Sequence, residues 1–408
     1  METKDSKVEK QTTFSSFHSK NVLEVFEIMD FIGSGTFGEV FKSKLKSDPS
    51  QLFALKKIKI ENEKVEGFPL TAIREIMILR KLNHINLSNL EDVLVSIPSS
   101  TNKYRGSVYL SFKFMDHDLY GLVHSGKVTF TVPQIKNIIF QILSGLNYLH
   151  SNNTIHRDLK SSNILMSNKG EVKITDFGLA KHIYKKQKKS FTRNVVTLWY
   201  RAPEVILGSS EYDFTIDLWS VGCILCELLL NRPPFNALTE REVFIQINDQ
   251  LGPIRENNFP GVTRLQHYDK FKVSKDFNSK GKLRKRLEED FSKEVVEFAM
   301  ILLEVDPKKR LSSEEALKHN FFTSGEKMCL NEELPRFERS YFELDIRNRE
   351  NKDYDTETRN TTDDMEKHYV KRYGKDMQIG EKYNNYNKKQ EKDNFLKNKR
   401  KNYDLNSK

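Results

Sequence analysis

The chain has 408 residues, of which 37% are hydrophobic and 30% are charged, and its formal net charge is +10. That length allows two or three domains, or one large two-lobed domain with tails. No apolar run reaches the roughly eighteen residues of a membrane span, and the polar start lacks the apolar centre of a secretory signal. With three cysteines, the sequence predicts a protein of a reducing compartment, without a disulfide framework and without a membrane span.

The positive charge by itself permits two kinds of partner. One is a nucleic acid, and the other is an acidic or phosphorylated protein. The excess of lysine and arginine is spread over loops and the final segment rather than gathered on one predicted element. Charge alone therefore does not decide between these partners.

The first elements in chain order are a flexible arm and two strands joined by glycines. Residues 1–25 are rich in Ser, Thr, Lys and Glu, which predicts a flexible N-terminal arm. Residues 26–32 alternate apolar and polar side chains, as a strand does, and lead into Gly33, Gly35 and Gly38. A second strand follows instead of the helix of a dinucleotide fold. We therefore predict a loop whose backbone amides approach phosphates.

The third predicted strand carries Lys56 two positions after Ala54. Strand alternation places both side chains on the inward face and Lys57 on the opposite, solvated face. A buried ammonium group needs a carboxylate partner, and Glu75 is the candidate. Glu75 belongs to a helix predicted within residues 67–82 from apolar residues at helical spacing.

Further strands are predicted near residues 90–97 and 107–114, followed by a connection between two lobes at 112–119. The backbone at the start of this connection is expected to bind adenine, and Asp118 to meet the ribose. Beyond it helices dominate up to about Phe322, and the main ones are predicted near 133–152, 214–230, 240–251 and 292–304.

Three short motifs follow one another within residues 154–204: His-Arg-Asp-Leu-Lys-Ser-Ser-Asn, then Asp-Phe-Gly, then Ala-Pro-Glu. Each motif alone is weak evidence, whereas the ordered set is typical of a phosphoryl-transfer site. Asp158 is predicted to accept the proton of a substrate hydroxyl, and Asn163 and Asp176 to hold magnesium ions that bridge nucleotide phosphates. Position and compensating charge would supply most of the catalysis.

The last part of the chain, residues 323–408, is predicted to be a charged, disordered tail. Residues 331–366 carry twelve acidic and six basic side chains, and residues 367–408 carry thirteen basic and five acidic ones. Such a segment buries too little apolar surface to offset its conformational entropy. The basic stretch 397–401 fits a nuclear import signal or a phosphate-binding patch, although a solvated charge run has the same composition.

Together these motifs resemble the protein kinase family over residues 26–322. The resemblance implies an α+β, bilobal fold with a small β-rich N-lobe at about 26–113 and a larger, mainly helical C-lobe at about 116–322. Within the family, the stretches at 69–75 and 195–204 resemble the cyclin-contacting helix and the activation-segment ending of cyclin-dependent kinases.

The stretches at 35–42, 105–110 and 114–122 resemble the transcriptional branch of these kinases more narrowly. Members of that branch, such as cyclin-dependent kinases 9, 12 and 13 and the CTD kinase I catalytic subunit, act on Ser-Pro heptads of RNA polymerase II. Phe37 stands where cell-cycle members carry an inhibitory tyrosine. The resemblance implies a nuclear kinase that needs a cyclin, ATP and Mg2+ and modifies Ser/Thr-Pro sites of the polymerase repeat domain.

The resemblance also implies a role for each matching residue. Catalysis is assigned to Asp158 as base, helped by Lys160, Lys56 and Glu75. Magnesium is assigned to Asn163 and Asp176. Nucleotide contacts are assigned to Ile32, Gly33, Gly35, Gly38, Val40, Ala54, Lys56, Phe112, Met115, Asp118 and Leu165.

Thr192 aligns with the activating phosphorylation site of the family. Arg74, Arg157 and Lys181 match the three positions that bind its phosphate. Lys181 stands where the family usually carries an arginine. A lysine keeps the positive charge but lacks the planar guanidinium group, so its contact with the phosphate should be looser. The cluster of lysines at 185–189 is expected either to attract an acidic or already phosphorylated substrate or to be a solvated loop.

Three alternatives stay open at this point. A cell-cycle cyclin-dependent kinase shares the fold, and Phe37 argues against it. A pseudokinase scaffold would need a defect that leaves every named catalytic position intact. A nucleic-acid-binding module would rest on the basic tail, since direct nucleic-acid binding is not expected of the kinase domain.

Overall fold

The computed structural model describes residues 20–35, 38–59, 69–96, 106–183, 197–274, 277, 279–343 and 345, all of which belong to one compact unit. A β-rich part precedes a mainly helical part. No helix in these ranges is long and apolar enough to cross a membrane. Thr36, Phe37, the segments 60–68, 97–105 and 184–196, and most residues after 343 lie outside the described ranges.

The N-terminal lobe is built on one antiparallel sheet with the strand order β1-β2-β3-β5-β4. Its strands are β1 (Phe26–Gly35), β2 (Gly38–Leu45), β3 (Asp48–Ile58), β4 (Asp92–Val95) and β5 (Val108–Lys113). The face of β3 opposite Ala54 and Lys56 carries Phe53 and Leu55, which are buried with Phe26, Leu94 and Tyr109. The alternating pattern that predicts strands therefore also defines the core of this lobe.

Gly38 is required where β2 begins. A Cβ atom at this position would lie 2.1 Å from the carbonyl oxygen of Lys57 on β3. Any larger residue would push the two strands apart, so the glycine permits the close approach of the loop to the neighbouring strand.

Residues 20–25, which the sequence places in the predicted flexible arm, belong to the lobe, and residues 1–19 lie outside the described ranges. They include the short helix α1 (Val22–Val25), whose N-cap residue Asn21 accepts a hydrogen bond from the backbone N–H of Leu23. The side chain of Val22 is only 1% exposed and joins the core beneath β3. A few apolar residues in a polar stretch are thus held by the folded sheet, which the local composition does not reveal.

Two helices carry or border residues that the sequence assigns to the predicted site. Helix α2 (Leu70–Leu79) follows β3 and buries Ala72, Glu75 and Leu79. The short strand β6 (His117–Asp118) then leads into helix α3 (Leu119–His124), with Asp118 as N-cap.

The C-terminal lobe is organised around helices α4 (Val132–Ser151) and α6 (Thr215–Leu230). Helix α6 is buried on all sides, as its apolar sequence predicts, and ends at Asn231 in a left-handed conformation with φ of 52°. The smaller elements are β7 (Thr154–Ile155), β8 (Ile164–Met166), β9 (Val172–Ile174), β10 (Lys181–His182), α5 (Pro203–Ile206), α7 (Glu240–Leu251), α8 (Tyr268–Phe271), α9 (Lys282–Asp290), α10 (Lys293–Leu302) and α11 (Ser313–Leu317).

The prediction of a disordered tail from residue 323 is corrected for residues 323–343, which we call the C-terminal segment. Leu334 and Tyr341 are buried in the main core. On α4, Lys136 Nζ donates to the carbonyl oxygens of Ser324 and Glu326 at 2.6 and 2.5 Å. The segment is therefore ordered by polar side chains of the folded lobe that bind its backbone, and not by a periodic apolar pattern of its own.

Candidate active site

A cavity of about 740 Å³ lies between the sheet of the N-terminal lobe and the loops of the C-terminal lobe. The predicted nucleotide-contacting residues other than Gly35 line it: Ile32, Gly33, Gly38, Val40, Ala54, Lys56, Phe112, Met115, Asp118 and Leu165. Gly35 ends β1 and pairs with Gly38 across the turn. The structure thus brings together residues from four strands of the sheet, the inter-lobe connection and β8.

At the inner end of the cavity, Lys56 contacts two carboxylates. Its Nζ lies 2.7 Å from Glu75 Oε1 and 2.8 Å from Asp176 Oδ1. Burial would lower the pKa of Lys56, but the charges of Asp176 and Glu75 outweigh it and raise that pKa. The predicted pairing of Lys56 with Glu75 is therefore present in this structure.

Asp176 is held by its backbone as well as by Lys56. It adopts a left-handed conformation with φ of 63°, which is uncommon for a residue other than glycine and turns its carboxylate into the cavity. Burial opposes ionisation of this carboxyl group, but the charge of Lys56 keeps its pKa below the usual value. The side chain is therefore a carboxylate at neutral pH.

Asp158 lies across the cavity with its carboxylate fixed by neighbours. Asp158 Oδ1 accepts hydrogen bonds from the backbone N–H and the hydroxyl of Thr197, at 3.0 and 3.1 Å. Lys160 Nζ lies 3.5 Å from Asp158 Oδ2, and Asn163 Nδ2 donates to the carbonyl oxygen of Asp158 at 2.8 Å. These contacts orient one carboxylate oxygen toward the space where a substrate hydroxyl would bind.

Helix α6 anchors the loop that carries Asp158. Asp217 on that helix accepts the backbone N–H groups of His156 and Arg157, both at 2.9 Å. Arg157 itself is left-handed, with φ of 68°. A buried carboxylate is thus needed to hold a strained loop in place, and the sequence motifs gave no indication of this residue.

The donor atoms fit a magnesium ion that is shared with phosphate oxygens. Asn163 Oδ1 and Asp176 Oδ2 have no hydrogen-bond partner among the described residues and face the same cavity. Within the same ranges, no group of three or more His, Cys, Asp or Glu side chains forms a metal site. One carboxylate and one amide match the way Mg2+ is held when a nucleotide supplies the remaining oxygens.

Asp118 differs from its predicted environment. Its two carboxylate oxygens accept the backbone N–H groups of Gly121 and Glu343, at 2.6 and 2.7 Å, and the side chain is buried. Burial raises the pKa of Asp118 to about 8, against the effect of these two donors. Asp118 therefore holds the C-terminal segment, which leaves less of its hydrogen-bonding capacity for a ribose than the sequence suggests.

The C-terminal segment itself reaches the mouth of the cavity. Phe342 and Glu343 are among the lining residues, and the carbonyl oxygen of Tyr341 accepts the backbone N–H of Asp118 at 3.0 Å. The sequence motifs do not identify these residues, nor Thr197 and Asp217, as part of the site. Of these residues, Thr197 had a signal, because it lies within the stretch 195–204 that ends in Ala-Pro-Glu.

The predicted phosphate-binding positions are distributed over three elements. Arg74 is exposed on α2, and Lys181 begins β10, whose pairing with Ile155 brings it near the loop that carries Arg157. The guanidinium group of Arg157 donates to the carbonyl oxygen of Leu179 at 2.8 Å and to the hydroxyl of Tyr212 at 3.3 Å. Thr192 and the lysines at 185–189 lie outside the described residues, so these roles stay predictions.

The Ala-Pro-Glu motif is fixed by a buried ion pair. Arg310 binds both carboxylate oxygens of Glu204, at 2.9 and 3.2 Å, and its guanidinium also lies over the ring of Trp219. Two parallel hydrogen bonds set the geometry as well as the charge balance. The segment between Thr197 and Glu204 is therefore rigidly attached to the helical core.

Comparisons with known proteins agree with this geometry. The protein kinase domain family matches residues 26–322. Cyclin-dependent kinase C-1 of Oryza sativa subsp. japonica is 41% identical over 339 residues, which are 80% of this chain and 63% of the relative. Cyclin-dependent kinase 9 of Rattus norvegicus is 40% identical over 304 residues, which are 73% of this chain and 80% of the relative.

A solved structure gives the same result. The crystal structure of the yeast RNA Pol II CTD kinase CTDK-1 complex contains a chain with a TM-score of 0.66 and 32% identity, covering 74% of this chain and 94% of that one. This chain spans 63–64% of the length of the plant relatives that it matches. The predicted α+β, bilobal kinase fold is confirmed, and the chain belongs to the protein kinase family and, within it, to the cyclin-dependent kinases related to cyclin-dependent kinases 9 and 12.

Proposed function

We propose that the protein is an ATP- and Mg2+-dependent serine/threonine kinase that works with a cyclin and phosphorylates Ser/Thr-Pro sites of the RNA polymerase II C-terminal repeat domain. The observation that carries the proposal is the Asp158 carboxylate, held by Thr197 and Lys160 across one cavity from the Lys56–Glu75–Asp176 cluster. A phosphate donor and a hydroxyl acceptor fit between these two groups.

Each group has a part in such a reaction. Magnesium, when bound with the nucleotide, would offset the charge of the phosphates. Lys56 would bind phosphate oxygens, and Asn163 and Asp176 would hold the ion. Asp158 would take the proton of the substrate hydroxyl, while Lys160, 3.5 Å from its carboxylate, would compensate charge on the transferred group.

An exposed apolar face on α2 supports a protein partner beside the site. Leu70, Ile73 and Met77 are 75%, 40% and 58% exposed, and their spacing puts them on one side of the helix. The same helix carries Glu75 on its buried side. A cyclin bound to this face would hold the helix that supplies the partner of Lys56.

The substrate and the place of action come from the relatives. The yeast complex is an RNA Pol II CTD kinase, and cyclin-dependent kinases 9 and 12 are at least 40% identical to this chain in the regions matched. We propose the same substrate class here and a nuclear location. Two features that bear on this choice lie outside the described residues. One is the Thr36–Phe37 pair, which argues against a cell-cycle kinase. The other is residues 195–196, which would contact the proline that follows the phosphorylated residue of a substrate.

The test is a phosphotransfer assay with the full chain and its co-purified cyclin, using a synthetic repeat peptide with Ser-Pro sites and the same peptide with Pro replaced by Ala. Phosphorylation should require the proline and should fall by roughly 10²–10⁴-fold in Asp158→Asn. Asp269→Asn is the matched control, because its side chain is 84% exposed and lies on α8.

The outcomes separate the alternatives. Equal activity in Asp158→Asn and wild type would overturn the catalytic assignment, and absence of phosphotransfer in the wild-type complex would favour a pseudokinase scaffold. Phosphorylation of a non-repeat Ser-Pro peptide in preference to the repeat peptide would favour a cell-cycle kinase. Identification of the co-purified cyclin would distinguish these two branches independently.

A further inference from the structure

A second cavity, which we call the α9 pocket, lies where the end of α7 meets the start of α9. Its volume is about 310 Å³, and it is lined by Ser279, Lys280, Gly281, Lys282, Lys285, Arg286 and Glu289. The Ser279 hydroxyl donates to the carbonyl oxygen of Asp249 at 2.6 Å, which ties the loop before α9 to α7. The pocket is therefore formed by a fixed loop and one face of a helix.

The pocket has an excess of positive charge. Of its four cationic residues, Lys282 is paired with Asp249 at 2.8 Å. Lys280, Lys285 and Arg286 form no salt bridge with another residue in the part of the chain that the structure describes. Among the described residues, Glu289 is the single carboxylate that lines the pocket, so three cations without a salt bridge border one concavity.

The order of charges along α9 does not serve the stability of the helix. Its sequence is Lys-Leu-Arg-Lys-Arg-Leu-Glu-Glu-Asp, with cations in the first half and acids in the second. Helices are stabilised by the opposite order, and like charges three or four positions apart repel. Arg284, Lys285 and Arg286 each have an acidic residue four positions later, which offsets this arrangement in part, and Arg284 lies 3.6 Å from Glu288. An anion beside the cationic half would offset it further.

The lining favours a small, doubly charged anion over a nucleic acid. No aromatic side chain of the described residues lines the pocket, whereas single-stranded nucleic acids are bound by stacking on aromatic rings next to a basic groove. A phosphorylated side chain carries about −1.5 to −2 charges and three strong acceptor oxygens. Lysine and arginine side chains around a concavity match that group.

We propose that the α9 pocket binds a phosphoryl group on a phosphorylated serine or threonine of a protein segment. Its location links it to the active site. Helix α7 starts at Glu240, which is ion-paired with Arg201 of the segment bordering the active site, and reaches Asp249, which is paired with Lys282. Glu240 and Asp249 are nine positions apart on this helix, a separation of about 13 Å along its axis.

In this arrangement, a substrate with repeated sites carries one phosphate in the α9 pocket while another serine occupies the active site. This use of the pocket rests on the proposed function, whereas the binding of the phosphoryl group does not. The two are tested separately, by a binding measurement without ATP and by kinetics.

The binding test uses fluorescence anisotropy with the full chain and its cyclin. The probes are a synthetic repeat peptide carrying one phosphoserine and the same peptide without phosphate. The variant Lys280→Gln/Lys285→Gln changes two exposed side chains of the pocket, and Lys308→Gln/Lys309→Gln removes the same charge from exposed positions outside the residues that line it. The pocket variant should lose about fivefold in affinity for the phosphopeptide, and the control variant should lose none.

Three outcomes would overturn the proposal. One is an equal loss in the pocket and control variants, which would indicate general charge attraction. Another is unchanged affinity for the phosphopeptide in the pocket variant. The last is an RNA oligonucleotide that binds more tightly than the phosphopeptide and loses affinity only in the pocket variant, which would make this a nucleic-acid site.

The kinetic test compares the same two peptides as substrates. In the pocket variant, KM for the phosphorylated peptide should rise about fivefold, while kcat and the KM for the unphosphorylated peptide stay at wild-type values. If the wild-type complex binds the phosphopeptide in a pocket-dependent way but transfers no phosphate, the proposed function fails and the binding site stands. If phosphotransfer proceeds with identical KM values in both variants, the role of the pocket in presenting substrate is overturned.

Discussion

The active-site cluster and the C-terminal segment are both ordered, but by different kinds of contact. In the cluster, charged side chains from distant parts of the chain meet each other, as Lys56 meets Glu75 and Asp176. In the C-terminal segment, side chains of the folded lobe bind backbone groups: Asn168 bonds both the N–H and the carbonyl oxygen of Phe337, at 2.8 and 3.0 Å.

The difference explains why one region is visible in the sequence and the other is not. A charge cluster requires particular residue types at particular positions, so it leaves motifs. A backbone held by polar side chains requires little of its own sequence, because every residue offers an N–H and a carbonyl group. Charged composition therefore does not exclude order where a folded surface satisfies the backbone.

The largest expected effect comes from breaking the charge cluster. Lys56→Met should lower phosphotransfer at least about 100-fold, because a charge that would bind the phosphates is lost. It should also lower the free energy of unfolding by about 3–5 kcal/mol, since Glu75 and Asp176 lose their buried partner. Activity would be measured by phosphate transfer to a repeat peptide, and stability by denaturant unfolding.

The neighbouring lysine is the matched control. Lys57 points to the other face of β3, where its side chain is 37% exposed and lies 3.3 Å from Glu39. Because exposed ion pairs contribute about 0–1 kcal/mol, Lys57→Met should leave both measurements close to wild type. Similar losses in the two variants would contradict the distinct role of the Lys56 cluster.

A smaller effect is expected when the backbone contacts of the C-terminal segment are removed. Asn168→Ala abolishes both bonds to Phe337 and the contact with His117 Nε2 at 3.2 Å. Local opening of residues 334–343 should become easier by about 1–3 kcal/mol, which hydrogen exchange would detect. KM for ATP should rise a few-fold, because Phe342 and Glu343 line the cavity.

Asn236→Ala provides the control for this experiment. Asn236 is exposed and its side chain accepts a hydrogen bond from Gln246 at 3.4 Å, away from the C-terminal segment. Neither hydrogen exchange in residues 334–343 nor KM for ATP should change in this variant. Unaltered exchange in Asn168→Ala would show that the apolar contacts of Leu334 and Tyr341 suffice to hold the segment.

A third effect concerns pH. Burial raises the pKa of Asp118 to about 8, against about 3.9 for the unfolded chain. Between these values the folded protein holds a proton that the unfolded chain has released, so this contribution to stability is present at low pH and is lost as the pH rises through the folded-state pKa.

The thermal midpoint of the wild type should therefore fall by roughly 2 °C or more between about pH 6 and about pH 9, and Asp118→Asn should show a smaller decrease. Differential scanning calorimetry over this range measures both proteins. Asp269→Asn, at an exposed position, should keep the wild-type dependence. A decrease of the same size in Asp118→Asn and wild type would assign the pH dependence to other groups.

The smallest effect is expected at Lys181, a predicted phosphate-binding position. Replacement by arginine restores the planar fork, so Lys181→Arg should be tolerated or should raise activity slightly in the presence of cyclin. The measurement is phosphotransfer by the cyclin complex, compared with wild type at equal phosphorylation of Thr192. A severe loss of activity would contradict the assigned role.

Much of the fold was predicted from the periodic spacing of apolar residues along the sequence. The helices predicted near 133–152 and 240–251 are found at Val132–Ser151 and Glu240–Leu251, because each buries one apolar face over several turns. Boundaries were less predictable at both ends of the domain. Residues 20–25 and 323–343 are held by contacts with distant residues, which no local pattern encodes.

The sequence by itself predicted the chemistry of the site, because the ordered motifs contain Asp158, Asn163 and Asp176 at a spacing typical of phosphoryl transfer. The tertiary structure alone decided how these residues are held. Asp217 anchors the strained loop from the buried helix α6, Thr197 orients Asp158, and Asp118 binds the backbone N–H of Glu343. The physical reason is that a motif records which atoms react, whereas the contacts that position them join residues far apart in the chain.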